Sequence, residues 1–210
     1  MKKWFFGILI LLLFISGGLS YWNWSSEGGY ATPLEAVHAF RSYKGTLIHE
    51  HDVDGGKVLF LHRGLQVDEW NFQAEYVKET RRGWIWGYGG GHSAAFGDHP
   101  PSERWSYQYF PSTKGTPYES PFPMLYGLMD SAHHTVSVHS HTTGENYRTA
   151  GLHVDQLGVK LWYFFLTEGD GQQFTLTFLS EKNEVMDTMY IDESKPANGG
   201  NVGKAFDRLN

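Results

Sequence analysis

The chain has 210 residues, no cysteine, 11 histidines and 17 basic against 23 acidic residues, a formal net charge of −6. That balance excludes a surface built for nucleic acid or another polyanion, because such partners are drawn by clustered Lys and Arg. The lack of cysteine excludes disulfide staples and a thiol nucleophile, so stability has to come from a hydrophobic core.

The amino end is apolar. Lys2 and Lys3 precede an uninterrupted apolar run from Phe5 to Ile15, and no charge follows until Glu27. Two readings fit. A retained transmembrane anchor over residues 5–24 places Trp4 at one interface and Tyr21, Trp22 and Trp24 at the other. A cleaved signal peptide uses Gly18 and Ser20 as the small residues before a cut ahead of Tyr21. Both leave residues 1–4 as a cytoplasmic end and put the remainder outside, either on the cell membrane as a single-pass protein or secreted after cleavage. Two of the 17 basic residues stay inside, leaving 15 against 23 acidic ones outside, a formal charge of −8.

Residues 25–31 have linker composition. Thr32, Pro33 and Glu35 spell a helix start, with a capping hydroxyl, a pre-set first turn and a reciprocal carboxylate. The helix is expected from Pro33 to about Tyr43. The period then changes to two. "KVLFLHR" (57–63), "EWNFQAEYVK" (69–78) and "GWIWGYG" (83–89) read as strands. The glycines of "GYGGGHS" read as a tight, open turn. A Gly-, Pro- and Ser-rich stretch to Pro123 is expected to be interrupted by a short strand at 104–110. "PMLYGLMD", "TVSVHSH", "YRTAGLHVD", "VKLWYFFLTE", "QQFTLTFLSE" and "EVMDTMYI" supply further strands. "LWYFFL" is apolar on both faces, which places it centrally or beneath the helix. The fold class that results is α+β: an amino-terminal membrane helix, then one amphipathic helix packed on a curved, mainly antiparallel β-sheet. The extracytoplasmic domain spans 32–193 and a flexible tail 194–210.

Four histidines fall within nine positions, His133, His134, His139 and His141. On a strand, Val136 and Val138 face the core while His139 and His141 share the opposite face. Side by side, the latter two suit a zinc ion if a third ligand joins them. His49, His51, His153 and Asp155 are the candidates for that ligand. The plainer reading is a wet strand face, since no HExxH or Cys ligand accompanies the pair. Ser93 in "GGHSAA" approaches a nucleophile elbow, but Gly97, Asp98, Pro100 and Pro101 cut off the helix that an elbow needs. Trp84, Trp86 and Tyr88 share one strand face, and Trp105, Tyr107 and Tyr109 share another. These rings make either core or a platform for a sugar or peptide, with Ser106 and Gln108 on the wetter face.

The basic–apolar start, "TPLEAVHAF", "MLYGLMD" and "KLWYFFLTE…FTLTFLSEKNEV" together resemble uncharacterised small membrane-anchored proteins of Bacillus-like Firmicutes. The resemblance implies a Gram-positive cell-surface setting and carries over no site residue. The expected role is a membrane-tethered extracytoplasmic domain with a binding, sensing or structural function and no catalytic turnover. Its partners would be the membrane through residues 5–24 and an envelope protein or small ligand, with no nucleic acid. The alternative is an extracytoplasmic metal-binding protein or metal-dependent enzyme using His139 and His141. Zinc enters only in that alternative, and no other cofactor is expected.

Overall fold

The computed structural model describes residues 28–63, 69–95, 100 and 103–195. Among the described residues, one α-helix, α1 (Pro33–Phe40), precedes twelve strands. These are β1 (Thr46–Val53), β2 (Gly56–His62), β3 (Glu69–Thr80), β4 (Gly83–Ala95), β5 (Gln108–Phe110) and β6 (Met124–Asp130). The remaining six are β7 (Thr135–Ser140), β8 (Asn146–Ala150), β9 (Leu152–Val154), β10 (Val159–Phe165), β11 (Gln173–Leu179) and β12 (Val185–Asp192).

The strands form three antiparallel sheets of four, ordered β1-β2-β3-β4, β5-β6-β10-β9 and β12-β11-β7-β8. We call them the first, middle and last sheets. Strand alternation stacks them. In β6, Met124, Tyr126 and Leu128 meet Phe60, Phe72 and Tyr76 of the first sheet. The intervening Leu125 and Met129 meet Val136, Val138 and Phe174 of the last sheet. β10 divides likewise, Leu161 and Tyr163 one way, Trp162 and Phe164 the other. "LWYFFL" is therefore apolar on both faces because the middle sheet is covered on both faces by sheet.

α1 covers the outer face of the first sheet, packing Ala36 and Val37 on Leu59, Leu61 and Val77. Its capping box forms as the sequence predicts: Glu35 N donates to Thr32 Oγ1 at 3.2 Å and Thr32 N to Glu35 Oε2 at 3.1 Å. The helix stops at Phe40 rather than Tyr43, because Arg41 turns extended at φ −85, ψ 141. Eight residues are too few for a helix to persist alone, so the sheet beneath sustains it.

Two expectations of the fold are corrected, and one strand is added. The α+β class with a single curved sheet under a helix gives way to three stacked, open sheets, with one short helix on the outside. "TLIHEHDV", to which no element is assigned from the sequence, is a strand, β1, that pairs with β2 through a hairpin at Asp54–Gly55. The glycines 89–91 do not turn; they continue β4 along β3, with Gly89 opposite Glu75 and Gly91 opposite Gln73. The membrane span expected over 5–24 lies outside the described residues, and no helix among the described residues is long and apolar enough to cross a membrane. The single-pass topology, the membrane partnership and the cell-surface localisation have no support in the described fold and are withdrawn.

Candidate functional site

The described residues enclose a pocket of about 500 Å³ where β4, the outermost strand of the first sheet, passes β5 of the middle sheet. Ligand sites in proteins commonly fall between about 300 and 1,000 Å³. Four segments converge on it. The link after α1 gives Arg41 and Tyr43, the end of β2 gives Arg63, β3 gives Asn71 and Gln73, and β4 gives His92 and Ser93. Gln108 of β5 closes the far side.

The floor is polar because of how β3 alternates. Phe72, Ala74 and Tyr76 enter the core between the first and middle sheets. Gln73 and Glu75 therefore project toward α1, and both are buried, at 3% and 0% exposure. Glu75 is fully partnered: Arg41 Nε and Nη2 donate to its two oxygens at 2.9 and 3.1 Å, and Trp86 Nε1 donates at 2.6 Å. Burial nevertheless dominates, and it pushes the Glu75 carboxyl above its ordinary value against the pull of Arg41 and Trp86.

The amides of the floor are oriented by hydroxyls. The Tyr43 hydroxyl donates to Gln73 Oε1, and the Ser93 hydroxyl donates to Asn71 Oδ1. Each amide oxygen is thereby engaged, and the NH₂ is what remains of each amide. Gln73 Nε2 is closed to solvent and has no hydrogen-bond partner. His92 is similar. Its ring packs edge-on against Phe72, centroids 6.1 Å apart, and close to Tyr126, and neither ring nitrogen has a partner. Burial alone lowers its pKa to about 4, so the imidazole is neutral at physiological pH.

The glycine run makes the opening. A Cβ at Gly89 would strike the Glu75 carboxylate, and one at Gly91 would lie 2.6 Å from Gln73 Cβ. Gly90, by contrast, has open space where a side chain would go. Glycine in a strand often marks such a close approach to the backbone.

The histidines singled out in the sequence go elsewhere. Val136 and Val138 are buried, and His139 and His141 lie together on the outer face of the last sheet, ring centroids 5.1 Å apart. His139 Nδ1 is 3.0 Å from Asn146 Oδ1, and His141 Nε2 is 2.8 Å from Thr175 Oγ1. The proposed third ligands are on other sheets. His49 and His51 of β1 flank the Tyr163 hydroxyl at 3.1 and 3.0 Å, and His153 of β9 pairs with Asp155 at 3.3 Å. Among the described residues no three His, Cys, Asp or Glu side chains gather as a metal site. The metal-binding and metalloenzyme alternative is therefore withdrawn. His133 separates from the others altogether and is buried beside Phe178.

Nor do the other tempting features assemble. Ser93 sits inside β4, not on a strand-to-helix elbow. A bulge at Gly87 breaks the shared face of Trp84, Trp86 and Tyr88. Trp84 and Trp86 pack toward α1, whereas Tyr88 packs against Phe110 in the core. Trp105, Tyr107 and Tyr109 face the last sheet, and Ser106 is buried, its hydroxyl accepting from Leu128 N.

Comparison with protein-family models, curated proteins and solved structures returns no match. The site has to be read from its own chemistry. Sequence reasoning passed over Arg41, Tyr43, Arg63, Asn71 and Gln73. The available signal was "NFQAE", whose polar residues at spacing two run opposite the glycine triplet.

Proposed function

We propose that this domain is a binding module for a small polar ligand, seated in the pocket at the glycine run of β4. One observation carries the reading: Gln73 Nε2 and both nitrogens of His92 are shielded from water, lack partners and belong to residues lining the same pocket. A buried polar group left unpaired costs about 1–3 kcal/mol, so a ligand that reached either residue, Gln73 on the α1 side of the strand or His92 on the side of the middle sheet, would gain affinity. Binding suits the site better than turnover. Ser93 is committed to Asn71, and Glu75 is saturated by Arg41 and Trp86, so neither stands beside His92 as a nucleophile or a partner base.

The test uses Gly90→Val, whose Cβ would meet nothing within 4 Å. A library of small polar compounds is screened against amide resonances of the isotope-labelled protein. Binders should move the signals of residues 71–73 and 89–93 in the wild type and fail to do so in the variant, whose melting temperature should be unchanged. Shifts that survive Gly90→Val, or that map to another surface, would overturn the assignment.

A further inference from the structure

The hydrogen-bonding capacity left open around the pocket is lopsided. Both amide oxygens are occupied, Gln73 Oε1 by the Tyr43 hydroxyl and Asn71 Oδ1 by the Ser93 hydroxyl. What remains of Asn71 is an NH₂ group, a pure donor, whereas the NH₂ of Gln73 is closed to solvent. Arg63 adds a guanidinium, which also only donates. It lies flat over the Tyr43 ring, 3.5 Å from the centroid, and makes no ion pair among the described residues. Stacking engages the face of a guanidinium and leaves its edge of N–H groups for a planar acceptor.

The charge is equally defined. Arg41 also borders the pocket, but both arms of its fork are held by Glu75. Among the described residues, the two arginines and the one glutamate thus leave a single unpaired positive charge, that of Arg63. The chain as a whole carries −6. A lone cation in an acidic protein suits one negative charge and disfavours several, since each further charge on the ligand meets repulsion with no local compensation.

Donors in excess, one free guanidinium edge and a net local charge of +1 describe an acceptor with two oxygens and one charge. We infer that the ligand of this pocket is a monocarboxylate, its carboxylate on the guanidinium edge of Arg63, with Asn71 as a further donor. The inference rests on the reading of the pocket as a binding site and names the chemical class that the site takes.

Matched pairs separate the class from the site. Acetate, benzoate and hydrogen succinate are titrated against acetamide, benzamide and succinamide, with inorganic phosphate as a third arm, while the amides of residues 71–73 and 89–93 are followed. The acids should bind and their amides should bind at least about tenfold more weakly, the step that a 1.4 kcal/mol difference produces. Arg63→Gln should abolish that preference, and Arg63→Lys should restore part of it by keeping charge without the fork. Unaltered melting temperatures would show that both variants fold. Equal binding of acids and amides would overturn the carboxylate assignment and leave the binding site standing. Stronger binding of phosphate than of any carboxylate would do the same. Silence of the pocket toward these probes and toward the broader library would remove both readings.

Discussion

Arg41 grips Glu75 with two parallel hydrogen bonds, and Glu75 has no exposed surface at all. The pair joins the residue that ends α1 to the middle of β3, and so fixes the helix over the first sheet. Removing only the cation leaves an uncompensated buried carboxylate, at a cost of about 3–5 kcal/mol. Arg41→Ala should lower stability by that amount in denaturant titration. The double change Arg41→Met/Glu75→Gln should recover much of it, because a neutral amide needs no counter-charge and its oxygen still accepts from Trp86 Nε1. An equal loss in single and double variants would show that the pair is not the source.

The acid sensitivity of the domain should trace to His92. Its pKa falls from an ordinary 6.5 to about 4 in the folded protein, so the unfolded chain binds more protons between those values. The stabilisation is complete above pH 6.5 and is lost as the pH falls toward about 4, up to about 3 kcal/mol in all. Glu75 works in the opposite direction: its raised pKa makes the folded state the better proton binder just above pH 4.5, so its share of the stability falls as the pH rises there. His92→Phe keeps the packing on Phe72 and Tyr126 and removes the titrating group. Its unfolding free energy should lose most of the slope between pH 6.5 and 4, and an unchanged slope would place the sensitivity elsewhere.

Neighbouring glycines should behave oppositely. Gly89→Ala drives a methyl group into the Glu75 carboxylate and should cost about 1–3 kcal/mol, the usual penalty for overpacking. Gly90→Ala meets nothing and should be neutral or mildly stabilising, since alanine restricts the unfolded chain more than glycine does. Paired thermal melts decide the point.

A second buried carboxylate organises the other end of the molecule. Asp170, 1% exposed, accepts from Thr167 N at 2.7 Å, Thr167 Oγ1 at 2.8 Å, Tyr147 OH at 2.7 Å and Thr143 Oγ1 at 3.1 Å. These bonds tie the 3₁₀ turn Glu168–Asp170 to β8 and to the turn before it. Asp170→Ala should destabilise by about 3 kcal/mol or more, as hydrogen bonds to a charged group are each worth roughly 1.5–3 kcal/mol. Hydrogen exchange should quicken first in β7, β8 and β11 of the last sheet. Uniform acceleration throughout would show that the node is not local.

The sequence by itself determined those features that depend on neighbours along the chain. The Thr32–Glu35 capping box needs residues three apart, and period two placed Val136 and Val138 inward with His139 and His141 outward. The apolar run 161–166 required cover on both faces whatever supplied it. Tertiary structure decided the rest. That the cover is two further sheets, and not a helix, depends on pairings between strands distant in sequence, such as β6 with β10 and β7 with β11. One bulged residue, Gly87, turns Tyr88 away from Trp84 and Trp86, and alternation alone does not reveal an inserted residue. The pocket is the clearest case. Arg41, Arg63, Gln73 and His92 lie on four separate segments, and Asn71 and Gln73 carry the pattern of an ordinary wet strand face. They become part of one pocket wall only because the link after α1 and the glycine run of β4 close over them, and those contacts join residues tens of positions apart.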